Sequence, residues 1–251
     1  MFYNLFFSPT GGTRKVAEIL GSAMLVDQTI DFTPASVKLD SITPGASDIC
    51  IITVPSFGGR IPFSATDKLK TFKASGAKAI LVTTFGNRAI DDTLVEMKDI
   101  LTQNGFSCIA AIEAVTEHSF VRKFGAGRPD AQDQTELQSF ASIILQRIAN
   151  PHTPPVEVPG KHPYKDFKGV PFHPAVDETK CVSCGICATR CPAGAIPHVN
   201  PEMTLADRCI TCMACVVNCP ERARNLTNEI FAALEAKLSA VCAERKSNKL
   251  Y

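Results

Sequence analysis

The first 149 residues alternate short apolar runs with segments in which apolar residues recur every three or four positions. The apolar runs favour buried strands at residues 1–7, 49–54, 79–83 and 108–115, with a weaker candidate at 27–33. The helical periodicity predicts helices at residues 13–25, 62–72, 89–101 and, after an Asp130 cap, up to about 148. Alternation at this spacing predicts βαβ units and a parallel sheet covered by helices on both faces.

The pattern changes after residue 149. Seven prolines fall within residues 150–175, and because proline neither continues a helix nor donates to a strand ladder, this segment is predicted to be an extended, stiff linker. Further on, a final amphipathic helix over residues 228–243 is expected to pack over a neighbouring domain through Ile230, Leu234, Leu238 and Val241. The polar tail at 244–251 is expected to fray. The predicted units are an α/β domain at 1–149, a linker at 150–175, a cysteine-rich module at 176–224, and a helix and tail at 225–251.

Composition and charge exclude some classes of function. The formal net charge of the 251 residues is +1, so the strong basic field of a dedicated nucleic-acid binder is absent. No apolar run approaches the ~20 residues of a membrane span. Residues 1–7 are apolar but too short for a signal peptide, and no basic stretch precedes them. We therefore expect a cytoplasmic protein with no membrane span.

Cysteine is the unusual component of the chain. Eight of its eleven cysteines lie between Cys181 and Cys219. A disulfide framework is typical of short secreted chains, so clustered cysteines here indicate metal ligands instead. The run Cys-x₂-Cys-x₂-Cys-x₃-Cys-Pro begins at Cys181 and repeats at Cys209. Zinc sites usually use two separated cysteine pairs, and two identical four-cysteine runs fit that alternative poorly.

Residues 176–224 resemble the bacterial-type ferredoxins that carry two [4Fe–4S] clusters. In these modules the fourth cysteine of each run ligates the other cluster. The resemblance therefore implies a small α+β module in which one cluster is held by Cys181, Cys184, Cys187 and Cys219, and the other by Cys209, Cys212, Cys215 and Cys191. The remaining Cys50, Cys108 and Cys242 are interpreted as non-ligands, with the first two buried in strands.

A glycine-rich loop joins the first predicted strand to the first helix. Its residues are Ser8, Pro9, Thr10, Gly11, Gly12 and Thr13. Backbone amides at a helix start form an anion site, and the hydroxyls add further donors. No lysine stands where a nucleotide-binding P-loop needs one, and no Gly-x-Gly-x-x-Gly occurs, so a phosphomonoester fits better. The alternative is an ordinary helix cap with turn glycines.

Two more loops are expected at the same edge of the sheet, because they also follow buried strands. The carboxyl ends of parallel strands form the usual ligand site of a doubly wound sheet. The candidate ligand-binding residues of the first loop are Pro55, Ser56, Phe57, Gly58, Gly59 and Arg60. Those of the second loop are Thr84, Phe85, Gly86, Asn87 and Arg88.

The three loops together resemble the flavodoxin family across residues 1–149. The family's Ser/Thr-x-Thr-Gly-x-Thr phosphate motif is complete at residues 8–13. The resemblance implies a flavodoxin-like doubly wound parallel sheet of strand order 2-1-3-4-5, with FMN phosphate at that loop and the two later loops beside the flavin ring. Arg60 and Arg88 are expected either to place positive charge near the ring or to be solvated.

The aromatic positions depart from the family pattern. Many flavodoxins place Trp on one flavin face, but this chain has none, and Phe57 is the nearest candidate. Ile90 stands where the other face often has Tyr. One face of the flavin is therefore expected to be open to a partner or covered by the second domain.

The whole chain resembles the flavodoxin–ferredoxin fusion proteins of anaerobic metabolism. The resemblance implies an electron-transfer flavoprotein that passes electrons between FMN, two [4Fe–4S] clusters and redox partner proteins. The alternative is an FMN-dependent oxidoreductase that reduces its own small-molecule acceptor, such as a quinone, with the clusters as an internal relay. The long connection at 117–130, which holds His118, is expected to contact the ferredoxin module, to cover FMN, or to be solvated.

Overall fold

The computed structural model describes residues 1–150 and 152–251. Its central sheet has five parallel strands in the order β2-β1-β3-β4-β5. Their bounds are β1 Phe2–Phe6, β2 Gln28–Asp31, β3 Ile49–Pro55, β4 Lys78–Phe85 and β5 Ser107–Val115. This is the strand order of the flavodoxin-like doubly wound fold, which confirms the predicted fold class.

Four helices cover the two faces of this sheet. Their bounds are α1 Gly12–Ala23, α2 Phe63–Thr71, α3 Thr93–Gln103 and α4 Ala131–Ala149. Leu69 of α2 and Leu94 of α3 are buried on one face, and Leu20 of α1 and Leu137 of α4 are buried on the other. The predicted cap of α4 is present, because the Asp130 side chain accepts from the Asp133 amide at 3.1 Å.

The cysteine-rich module is small and internally repeated. Strand β6 Ala175–Val176 pairs antiparallel with β7 Arg224–Asn225, and two one-turn helices, α5 Ile186–Thr189 and α6 Ala214–Val217, lie between them. Each short helix carries the third cysteine of its run, Cys187 in α5 and Cys215 in α6. The sequence repeat is therefore also a repeat of local structure.

The proline-rich linker is extended and lies against the α/β domain. The Val156 amide donates to the Cys108 carbonyl at 2.9 Å. Farther along, the side chain of Asp92 accepts from the Lys161 amide at 3.0 Å and from the Lys165 amide at 2.7 Å. Because the linker is held at several points, the cysteine module is placed at a defined position beside the sheet.

The last helix, α7 Asn228–Cys242, packs on the segment that connects β5 to α4. Leu234 and Leu238 are packed against the buried Val121 and Phe124, as the helical stripe predicts. The prediction for Val241 is wrong, since this side chain is 49% exposed. Cys242 fills the buried end of the stripe instead.

The expectation that the tail frays is also wrong. Residues Lys249–Leu250 form strand β8, which pairs antiparallel with β5 and adds a sixth strand to the central sheet. The buried Asn248 side chain accepts from the Val115 amide at 2.8 Å and donates to Asp133 at 2.9 Å. These polar contacts, together with the packing of Leu250 and Tyr251 against the core, hold the tail in place.

Candidate cofactor sites

The loop between β1 and α1 presents backbone amides at the carboxyl edge of the sheet. Gly11 precedes α1 with a φ of 91°, a conformation that glycine adopts without strain. Among the described residues, the backbone amides of residues 10–13 have no hydrogen-bond acceptor. The next amide, that of Arg14, donates to Ser8 Oγ at 2.9 Å. Four adjacent unpaired amides at a helix start suit the oxygens of a phosphate group.

The hydroxyl groups of this loop have different surroundings. Thr13 Oγ1 lies 2.8 Å from Thr84 Oγ1, and this buried pair joins the loop to the end of β4. Ser8 Oγ is occupied by the Arg14 amide. The Thr10 side chain has no hydrogen-bond partner in the part of the chain that the structure describes, so Thr10 is the loop hydroxyl that remains for a ligand.

A cavity of about 400 Å³ lies beside the ends of β3 and β4. The predicted residues that line it are Ser56, Phe57, Gly58, Phe85, Gly86 and Arg88. Its walls are close: a Cβ on Gly58 would lie 2.4 Å from the Phe167 ring, and a Cβ on Gly86 would lie 2.6 Å from His118. A cavity of this size, mostly apolar with a few polar groups, fits a flat aromatic ring.

The other predicted ring-contact residues do not line this cavity. They are Pro55, Gly59, Arg60, Thr84 and Asn87. Arg60 makes a bidentate ion pair with Glu96, at 2.8 and 2.9 Å. The charge of the guanidinium group is therefore neutralised by Glu96, away from the cavity. Ile90, which stands where the family often has Tyr, is buried in the core and does not line the cavity.

The Asn87 side chain makes hydrogen bonds to the chain that follows α7. Its side-chain Nδ2 donates to the backbone carbonyls of Cys242 and Glu244, at 2.6 and 2.8 Å, and its Oδ1 accepts from the Lys246 amide at 3.0 Å. The residue therefore anchors the chain that follows α7.

The cavity is covered by residues outside the predicted cofactor-binding loops. These covering residues come from four parts of the chain: His118, Ser119 and Phe120 after β5; Lys165, Phe167 and Val170 of the linker; Ile210 of the second cysteine run; and Leu234, Lys237 and Leu238 of α7. The Phe120 ring meets the Phe172 ring edge-on at 5.9 Å, and the Phe172 carbonyl accepts from Thr211 Oγ1 at 2.8 Å. The unusual length of the 117–130 segment was the sequence signal for this contact.

The first candidate ligand set combines both cysteine runs. Cys181, Cys184, Cys187 and Cys219 line a single small cavity. The Ala223 amide donates to Cys219 Sγ at 3.3 Å, which is the type of contact that stabilises a cluster thiolate. Cys184 is exposed at this cavity, so the set lies near the protein surface.

The second candidate set also combines the runs. Burial is the main cause that raises the pKa of Cys212, and the neighbouring thiols of Cys215, Cys191 and Cys209 raise it further. Burial likewise raises the pKa of Cys215 to about 11. Backbone amides donate to Cys191 Sγ at 3.2 Å and to Cys209 Sγ at 3.4 Å. Thiols this reluctant to ionise would release protons when a metal binds, because the ligand form is the thiolate.

Comparison with known proteins adds a family for the cysteine module. Residues 173–227 match the family described as 4Fe-4S dicluster domain. No curated protein sequence matches the chain.

Similar solved structures include three flavodoxins. One is from the domain Archaea, with 14% identity, a TM-score of 0.44, and coverage of 59% of this chain and 99% of that one. One is from Streptococcus pneumoniae TIGR4, with 17% identity, a TM-score of 0.40, and coverage of 58% of this chain and 98% of that one. The third is oxidised flavodoxin 2 from Bacillus cereus, with 13% identity, a TM-score of 0.43, and coverage of 58% of this chain and 98% of that one.

The strand order and the dicluster match together define the class of the protein. It joins a flavodoxin-like α/β fold to a 4Fe-4S dicluster domain, which confirms the combination predicted from the sequence. Across residues 1–150 and 152–251, no helix has both the length and the apolar character needed to cross a bilayer.

Proposed function

We propose that the protein is an electron-transfer flavoprotein that holds one FMN and two [4Fe–4S] clusters and exchanges electrons with partner proteins. When bound, FMN accepts one or two electrons and each cluster accepts one, so the three groups link single-electron and two-electron chemistry.

Two groups of residues support the proposed flavin site. The amides of residues 10–13 and the Thr10 hydroxyl would bind the phosphate, because they are the unpaired donors of the loop. The cavity between Phe57 and Gly86 would take the ring. In the cysteine module, Cys181, Cys184, Cys187 and Cys219 would hold one cluster, and Cys209, Cys212, Cys215 and Cys191 the other.

One observation carries the proposal that these groups exchange electrons within one molecule. Ile210 lies between Cys209 and Thr211 in the second cysteine run, and its side chain lines the same cavity as Phe57 and Gly86. A cluster held by the second set would therefore lie next to the flavin ring. The first set lies nearer the surface, where a partner protein could reach it.

The covering of the cavity favours a carrier over an enzyme with its own small-molecule acceptor. A flat acceptor such as a quinone would have to stack on the flavin ring. Leu234 and Leu238 of α7, Phe120 and Phe167 already line the cavity that the ring would fill. Isolated protein should therefore reduce quinones slowly, whereas a high turnover without any partner would favour the oxidoreductase.

Rapid-mixing reduction tests internal electron transfer. The reconstituted protein, expected to hold about eight iron atoms and one FMN per chain, is mixed with a one-electron reductant and followed at flavin and cluster wavelengths. A transfer rate that does not change with protein concentration supports the proposal. A rate that rises linearly with concentration means transfer between molecules and contradicts it, and zinc in place of iron after anaerobic reconstitution removes its basis.

A further inference from the structure

We propose that His118 is a cofactor-binding residue that donates its Nε2–H to a hydrogen-bond acceptor on the flavin ring. The inference rests on the proposed function, because it assumes that the ring occupies the cavity beside Phe57 and Gly86. His118 belongs to neither of the loops that the flavodoxin resemblance places against the ring, and the long connection that carries it packs on the linker and on α7.

The orientation of the imidazole is fixed by its other nitrogen. His118 Nδ1 accepts from the backbone amides of Phe120 at 3.1 Å and Val121 at 3.3 Å. A nitrogen that accepts carries no proton, so in the neutral ring the proton is on Nε2. The His118 amide also donates to the Phe124 carbonyl at 3.0 Å, which holds the backbone in place.

His118 lines the cavity, and Nε2 is its one polar side-chain atom that is not already in a hydrogen bond with the described residues. A Cβ built on Gly86 would lie 2.6 Å from both Cα and Cδ2 of His118, so the backbone and the ring of His118 both pack against the loop after β4. Among the described residues, no acceptor lies within hydrogen-bond distance of Nε2. A donor that lines a cavity without a partner is available to a ligand bound there.

The charges around the cavity keep this donor neutral. Partial burial, and after it the charge of Arg88, lower the pKa of His118 to about 4. The other charged groups that line the cavity are Lys165 from the linker and Lys237 from α7. Asp91 pairs with both Arg88 and Lys165. The protonation of His118 should therefore not change between pH 5 and 8.

A fixed neutral donor distinguishes the two redox forms of a flavin. The carbonyl oxygens and unprotonated nitrogens of the ring carry more negative charge when the ring is reduced. Hydrogen bonds to such charged acceptors are stronger than those to neutral ones. His118 would therefore bind reduced flavin more tightly than oxidised flavin, and so raise its reduction potential.

Nitrogen-15 NMR of the full chain tests the tautomer without reference to activity. Wild-type protein should show a neutral His118 with its proton on Nε2 at every pH from 5 to 8. A proton on Nδ1, or a titration near pH 6.5, overturns the inference.

Two variants then distinguish the donor function of Nε2 from the contacts of Nδ1 with the amides of its own loop. His118→Asn keeps an acceptor for the amides of Phe120 and Val121 but lacks a donor at the Nε2 position, whereas His118→Gln supplies an amide donor near that position. We expect His118→Asn to weaken oxidised FMN binding roughly 2- to 10-fold and reduced FMN binding by more than about 10-fold. His118→Gln should recover part of both. The control is His152→Asn at an exposed histidine.

Two outcomes are decisive and distinct. If wild-type protein binds FMN, and His118→Asn binds oxidised and reduced FMN with the same affinities as wild type, the inference fails and the proposed function stands. If wild-type protein does not bind FMN at all, the proposed function fails, and this inference fails with it.

Discussion

The side-chain Nδ2 of Asn87 donates a 2.6 Å hydrogen bond to the backbone carbonyl of Cys242, which joins the loop after β4 to the last residue of α7. These residues are 155 positions apart in the chain. The contact links the cavity wall formed by Gly86 and Arg88 to the helix that covers the cavity. The position of α7 therefore depends on a residue of the loop after β4, which also lines the cavity.

Removal of this amide should loosen α7. Asn87 has a φ of 60°, which glycine tolerates, so Asn87→Gly removes the side chain without adding backbone strain. We expect the free energy of unfolding to fall by about 1–3 kcal/mol, because the buried Cys242 carbonyl loses its donor. Urea unfolding measures this change, and hydrogen exchange should be faster in α7. The control is Asn200→Gly, since Asn200 is exposed; equal exchange in α7 of Asn87→Gly and wild type would contradict the prediction.

Loss of the free hydroxyl in the phosphate loop should weaken FMN binding. Thr10→Val keeps the side-chain volume but removes a donor to the phosphate. The expected loss is roughly 1–3 kcal/mol, the range for a hydrogen bond to a charged group, with unchanged iron content. Titration of the apoprotein with FMN measures it. Thr135→Val, an equivalent change on the exposed face of α4, should bind like wild type, and unchanged affinity in Thr10→Val would remove this hydroxyl from the site.

The two cysteine sets predict opposite effects for the last cysteine of each run. Cys191→Ala should remove the cluster next to the flavin cavity, although Cys191 belongs to the first run. Cys219→Ala should remove the more exposed cluster. Each should lower iron from about eight to about four atoms per chain.

Electron exchange with the flavin distinguishes these two variants. Rapid mixing should show slow exchange in Cys191→Ala and wild-type exchange in Cys219→Ala, with Cys242→Ala as a non-ligand control that keeps all its iron. The reverse result would mean that each run holds its own cluster.

Stability should depend on pH through His118. Its pKa is about 4 in the folded protein, below the ordinary value of 6.5, so the unfolded chain binds a proton that the folded chain does not between these values. The free energy of unfolding should therefore rise with pH from 4 to 6.5 and then level off with respect to this group. Urea unfolding at several pH values should show a smaller rise for His118→Asn than for wild type. Parallel curves for the two proteins would contradict the assignment.

Much of the architecture could be predicted, because the features that define it are local. Strands β3, β4 and β5 are largely apolar, the phosphate loop has a complete motif, and the cysteines repeat with fixed spacing. The individual residues that cover the cavity could not be identified in this way. Phe120, Ile210 and Leu238 are far apart in sequence, and each has the ordinary apolar character of a packing residue.

Two further features depended on tertiary partners. The Arg60 side chain is directed by Glu96, 36 positions later, and this pairing leaves no sequence pattern. Strand β8 has only two residues, too few for a periodic signal, and it is held by the contacts of Asn248.

Strand β8 has a consequence for how the protein is assembled. Because this edge strand follows the cysteine module in the chain, the module is nested within the α/β fold, between β5 and β8, rather than attached in series. During synthesis the β5 edge stays open until the ribosome has passed residue 250, and an open edge can pair with other chains. Replacement of the module by another would have to preserve the distance between its two points of attachment, as for a domain inserted into a loop.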